Sequence, residues 1–260
     1  MPSFYKSLIT TTPELTNYIW RWDCNLYDSL ITDLLPKVNT PLSNNMVLGL
    51  NRYTRNLPGF LQYLLRDYPI LLRKKKSDVA RVFVAKMRRH LTLTQFAMNA
   101  GDVLSQPIRL EEMKHDWNNL DMGTILDHVL WVCDCRNDDM RKILEGDITQ
   151  LLNTKSNLNQ WMDWVERLVE KFVPRYPRIH DIQDDENYIK EAKQFLLKWK
   201  MYTSLVMQQF YLKTVSTVGS FQTLQFFFDD LVLYRVEERI ALVNANTNKL
   251  PSSGGAPVMQ

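Results

Sequence analysis

From Asp184 to Ala245 the chain runs through two long, aromatic-rich helical stretches, with Gly219-Ser220 as the candidate hinge between them. The first reads DDENYIKEAKQFLLKWKMYTSLVMQQFYLKTVSTV and the second FQTLQFFFDDLVLYRVEERIALVNA. In the first, apolar side chains between Phe195 and Leu212 fall nearly all round the helix, Leu197, Met201, Tyr211 and Leu212 among them. A helix that is apolar on every side is expected to be buried on every side. Nothing here is chemically reactive, and the apolar surface exceeds what one small bundle covers. The excess points to another protein chain, most simply a symmetric copy.

The rest of the chain reads as helix too. Only eight glycines occur in 260 residues, few for a fold of tight turns or phosphate-cradling loops. Thr12-Pro13-Glu14 supplies a cap, a proline at the first helical position and an early acid, and Pro36 ends the run that follows. Pro41 to Asn56 reads as a second helix, which Pro58 should break or kink. Ser77-Asp78 reads as the cap of a third, continuing towards Pro107. Pro107–Asn119, Asp121–Cys135 and Asn137–Asn153 suggest shorter helices. In 156–173, Leu158, Trp161, Val165, Leu168, Val169 and Phe172 form one apolar face. Neither a fixed repeat nor strand alternation is evident. The expectation is therefore an all-α, multi-helix bundle without a sheet. Residues 1–173 form a body of shorter helices, 174–185 a loop, 186–245 a long hairpin-like pair and 246–260 a disordered tail.

Composition narrows the chemistry. Cys24, Cys133 and Cys135 make no closed disulfide framework, which suits a reducing compartment. Cys133 and Cys135, with His128 and His115 nearby, lack a second ligand pair and read as buried thiols. Asp138-Asp139 and Asp184-Asp185 sit where acids complement helix N-termini. Asp229-Asp230 reads as partly outward-facing, with Arg235 and Arg239 within helical reach. His90, His115, His128 and His180 join no catalytic signature, so neither an enzyme, a cofactor nor a bound metal is expected. No run of eighteen apolar residues suggests a membrane span, and MPSFYKSLITTTPELTNY does not read as a secretory leader. The net charge of +3 hides a basic strip: from Arg73 to Arg89 eight cations face one acid, Asp78. A solvated helix face is its plainest reading, beside a nuclear-import signal or a phosphate-binding patch.

Several blocks carry a resemblance: DWNNLDM (116–122), WVCDC (131–135), LNQWMDWVERLVEK (158–171), AKQFLLKWKMYTSLVM (192–207) and VGSFQTLQFFFDDLVLYRVEERIA (218–241). In order and approximate spacing these resemble the C-terminal half of the regulatory factor X (RFX) family of winged-helix transcription factors. WRWDCNLYDSLITDLLPKV (20–38) is similar to the block preceding that family's dimerisation region. The resemblance implies a nuclear regulator of RNA polymerase II transcription that forms homodimers or heterodimers with a related RFX chain through this region. It also implies that X-box DNA is read by an N-terminal winged-helix module, which no part of this chain resembles. The expectation is therefore a fragment or incomplete gene product making no direct DNA contact, and taking neither a membrane nor a small-molecule substrate as partner. Phe195, Trp199, Tyr202, Val206, Phe210, Phe227, Leu231 and Tyr234 are the expected dimer-interface anchors, because aromatics dominate interface energetics. A monomeric helical adaptor for a different protein is the competing class.

Overall fold

The computed structural model describes residues 3–125, 127, 142–175 and 182–247. Every regular element among them is helical, as the sequence predicts, and no strand occurs. In chain order the α-helices are α1 (Ser3–Thr11), α2 (Pro13–Leu34), α3 (Asn44–Leu64), α4 (Ile70–Leu104) and α5 (Pro107–Asn118). After a π-helical stretch, Lys142–Ile148, come α6 (Thr149–Asn153), α7 (Leu158–Phe172), α8 (Ile182–Leu212) and α9 (Val218–Thr247). The predicted helix 121–135 falls largely outside the described residues, as do Trp131, the Cys133–Cys135 pair, His128, Asp138-Asp139 and His180. Of the predicted helix 137–153 the described part, 142–153, is helical, π-helical up to Ile148 and α-helical from Thr149. The structure divides into two compact units, Met1–Met98 and Asn99–Gln260, with the boundary inside α4.

In the first unit, α2 begins at Pro13, whose missing N–H costs nothing in the first turn. Thr12 precedes it without making the side-chain cap the sequence suggests. Two further expectations are corrected. Ser77-Asp78 lies inside α4, which starts directly after Pro69 and takes in the whole run of cations that follows. Arg73 donates its backbone N–H to the Pro69 carbonyl, closing that first turn at 3.0 Å. Pro58 does not end α3, which runs through it to Leu64. A proline at 58 cannot donate to the carbonyl four residues back, that of Thr54. Arg88 Nη2 donates to that same Thr54 carbonyl at 3.3 Å, so a side chain from α4 replaces the lost backbone bond. The core here is mainly aliphatic: Leu50 and Leu57 of α3 meet Ala80, Phe83, Val84, Met87 and Leu91 of α4. From α2, Tyr27 stacks on Phe83 with ring centroids 4.5 Å apart.

In the second unit, α8 packs along α9, α9 also meets α7, and α5 meets α6. Asn157 and Gln160 form a reciprocal capping box that starts α7. The apolar spacing then turns Trp161, Trp164, Val165, Leu168 and Val169 inward. The bend between the long helices is not at Gly219-Ser220. Both residues belong to the first turn of α9, and the chain reverses over 213–217, where Thr214 takes a left-handed φ of 51°.

Candidate protein-interaction site on the long helix pair

α5 fixes the reversal between α8 and α9. Arg109 Nε donates to Ser220 Oγ at 2.7 Å and its Nη2 to the Ser216 carbonyl at 3.4 Å. Thr217, fully buried, donates its hydroxyl to Asp116 at 2.6 Å. A turn held by charge-assisted bonds from a neighbouring helix sets the register of the two long helices.

Along the pair, aromatic rings fill the interior. Phe210 of α8 stacks on Phe221 of α9 at 4.2 Å, and Trp117 of α5 lies against both. Further along, Trp161 stacks on Phe228 at 5.1 Å, and Trp164 bridges Phe228 and Trp199. Asp229 is turned towards α8, not to solvent: it accepts from Trp199 Nε1 at 2.9 Å, Thr203 Oγ1 at 3.0 Å and Lys200 Nζ at 2.6 Å. A largely buried carboxylate with three donors ties α9 to α8. Arg235 and Arg239 serve α7 instead. Arg239 is buried, ion-pairs with Glu166 and Glu170 at 2.9 Å each, and donates to the Val173 carbonyl. Arg235 reaches Glu166 at 3.1 Å.

The eight anchors named from sequence divide sharply. Trp199, Tyr202, Val206, Phe210, Phe227 and Leu231 are buried within the chain's own core. Phe195 and Tyr234 are half-buried, Phe195 stacking on Phe172 at 5.3 Å and Tyr234 lying under the Arg235 guanidinium. Trp117, Trp161 and Trp164 are core residues. What the pair leaves open is a different set. Leu197, Tyr211 and Leu212 on α8 are 64%, 54% and 70% exposed, with Phe226 and Leu242 of α9 at 47% and 63%. The α8 residues were visible in the sequence as part of the all-round apolar count. Nothing in the sequence separates them from the buried set, because apolar residues surround this helix on every side.

The aromatic interior leaves little room for a small ligand, whereas a polar cleft of about 530 Å³ opens among Asp147, Gln150, Thr154, Gln160, Asp163 and Arg167. Trp161, Trp164, Trp199, Tyr202 and Phe228 line a cavity of about 70 Å³, well below the roughly 300 Å³ at which ligand pockets begin. Among the described residues no group of three His, Cys, Asp or Glu side chains is placed to hold a metal ion. No helix among them is long and apolar enough to cross a membrane.

The second unit is thus an all-α bundle whose long pair is filled inside and leaves several apolar side chains exposed outside. The particular family follows from comparison: the chain belongs to the regulatory factor X family, residues 1–243 matching the RFX BCD domain. Similar proteins include DNA-binding protein RFX2 of Xenopus tropicalis, 28% identical over 88% of this chain and 32% of that protein. Transcription factor RFX3 of Mus musculus is 28% identical over 88% of this chain and 30% of its own length. RFX3 of Xenopus tropicalis is 29% identical over 86% and 29%. The chain thus spans about a third of the length of these relatives. No solved structure matches it.

Proposed function

We propose that this chain is the dimerisation and effector region of a nuclear RFX-type transcription factor, with α8 and α9 as its seam. The observation that carries the reading is the outer apolar set on the pair. Leu197, Tyr211, Leu212, Phe226 and Leu242 stay exposed on helices whose inner faces are already filled. A second chain would bury that set, and an RFX copy or related RFX chain brings the same helices to a self-complementary contact. Phe195 and Tyr234 join the seam from its edge, while the six buried anchors support it from beneath. Membership of a family whose relatives are named as transcription factors and DNA-binding proteins supports a role in regulated transcription and a nuclear location. X-box reading belongs, in this proposal, to a winged-helix module outside the residues of this chain.

Light scattering tests the seam. The wild-type chain is expected to run as a dimer at micromolar concentration, and Leu197→Glu with Tyr211→Glu to run as a folded monomer. These positions are exposed, so the variants separate loss of assembly from loss of fold. Charge at Trp199 or Phe227 would not, since both are core. A wild-type monomer at that concentration would favour the second reading, an adaptor that meets a different protein. That reading has its own support in the first unit, where Tyr18, Trp22 and Leu26 line one exposed stripe of α2.

A further inference from the structure

The eight cations between Arg73 and Arg89 form one run in sequence, but α4 sorts them onto different faces. On the face turned to α2, Lys75 donates to Asn17 Oδ1 and lies over Trp20. Lys76 pairs with Asp23 at 2.6 Å, and Lys86 approaches Asp28 at 3.9 Å. These three are held by partners within the unit. Lys74, Arg81 and Arg88 recur every seven residues, so they share another face and stand about 10 Å apart along the helix axis. All three are exposed, and Ala85 and Thr92 between and beyond them are exposed and small. Lys74 has no carboxylate within ion-pair distance among the described residues, and Arg81 meets only Asp78, one turn before it.

α3 extends the same flank. Tyr53 reaches Phe83 edge-on towards α2, so Arg55, about 200° further round α3, lies away from α2. That is the flank on which Arg88 reaches the Thr54 carbonyl. Arg52 and Arg55 are exposed and make no ion pair among the described residues. Lys74, Arg81, Arg88 and Arg55 thus gather against Asp78 on one flank, with Arg52 on the outer side of α3, in a unit that carries 14 Lys and Arg against six Asp and Glu, a balance of +8.

We propose that this flank binds the phosphate backbone of duplex DNA without reading its sequence. The chemistry favours a regular polyanion over a protein. The cations are spaced along one face of a continuous helix, with Asp78 and the small Ser77 and Ala85 between them, which leaves room for a backbone to approach. A duplex offers a negative charge about every 1.7 Å of axis, so phosphates meet such a row in many registers. An acidic protein surface, the second unit of another copy included, would need a fixed register. This departs from the sequence-based expectation of no direct DNA contact, which rested on no part of the chain resembling a winged-helix module.

The test is fluorescence anisotropy of the 260-residue chain on a labelled duplex of about 30 base pairs and unrelated sequence, over a salt series. Wild type is expected to bind with micromolar affinity, log K falling with log salt at a slope of about −4 for five phosphate contacts. The variant Lys74→Gln, Arg81→Gln, Arg55→Gln is expected to weaken binding at least tenfold and cut the slope to about −2. Arg88 is left intact because α3 depends on it. Conversion of the same three to the other cation (Lys74→Arg, Arg81→Lys, Arg55→Lys) should hold affinity within about threefold, since a point charge suffices for phosphate. An equal number of neutralisations in the second unit, Lys142→Gln, Arg167→Gln and Lys193→Gln, should leave binding unchanged. Absence of binding at about 50 mM salt, equal weakening by the second-unit variant, or an unaltered slope would overturn the proposal. So would preference for an acidic protein over the duplex.

Discussion

The two units solve the same problem, covering helical faces, in opposite ways. The second draws its aromatic rings inward: Trp117, Trp161, Trp164, Trp199, Phe210, Phe221, Phe227 and Phe228 are all buried. The first builds its core mainly from Leu, Val and Met around Phe83, and leaves Phe4, Tyr5, Tyr18, Trp20, Trp22, Tyr53, Phe60 and Tyr63 at least a third exposed. Charge follows the same division. Residues 1–98 have a balance of +8, whereas 99–260 carry 18 cations against 23 acids, or −5. In the second unit the largely buried Asp229 and the buried Arg239 tie helices together. In the first, an arginine repairs a helix and other cations face solvent. Tryptophan therefore is core in the second unit, at 117, 161, 164 and 199, and display in the first, at 20 and 22.

The sharpest way to break this comparison is to truncate one tryptophan in each unit. Trp199→Ala should cost about 3–5 kcal/mol, because it empties a packed site and removes a donor to Asp229. Trp22→Ala, at a side chain 65% exposed, should change stability by no more than about 0.5 kcal/mol. Urea unfolding monitored by circular dichroism reads both. Similar losses at the two sites would mean that Trp22 is covered in solution.

A smaller effect belongs to the first unit. Arg88→Ala should cost about 1 kcal/mol by orphaning the Thr54 carbonyl, and most of that cost should vanish in a Pro58→Ala background. There the restored N–H at 58 takes over the carbonyl. Additive losses in the double-mutant cycle would separate the arginine from the proline.

His90 gives a pH signature to the same unit. Burial lowers its pKa below the usual 6.5, against a backbone hydrogen bond at Pro36 that raises it. The unfolded chain then binds the proton more readily than the folded one. Stability held above pH 6.5 should therefore fall as pH drops through and below that value. His90→Gln should flatten this part of the stability profile, and an unchanged profile would relieve His90 of the role.

The smallest expected effects lie at the reversal in the second unit. Thr214→Gly should stabilise by up to about 1 kcal/mol, since a β-branched residue is strained at positive φ. Gly219→Ala should add about 0.5 kcal/mol, because no atom lies within 4 Å of the new methyl and the residue is already helical. Both shifts are readable in thermal melts. Opposite signs would restore Gly219 as the hinge.

Helices were legible because their causes are local: Pro13 at a first turn, the Asn157–Gln160 box and the inward spacing from Trp161 to Val169 need only neighbours in sequence. α1 was not marked, and the start of α4 was displaced, since Ser77-Asp78 is a cap signal that a longer helix can absorb. The RFX blocks, too, were readable directly from residue order. The site was less legible. Sequence located the long pair but not which of its faces is full, because apolar residues surround α8 and only packing against α5, α7 and α9 selects Phe210 over Tyr211.

The sequence by itself determined that this chain is all-helical, that it belongs with RFX proteins and that its C-terminal helices carry more apolar surface than they can hide. Only the tertiary structure decided that the largest rings of the long pair turn inward, that Asp229 ties α9 to α8, and that the basic run divides between the side facing α2 and the flank beside α3. The reason is physical. Periodicity and caps act over a few residues, whereas burial and pairing depend on which distant side chains arrive beside each position once the helices pack.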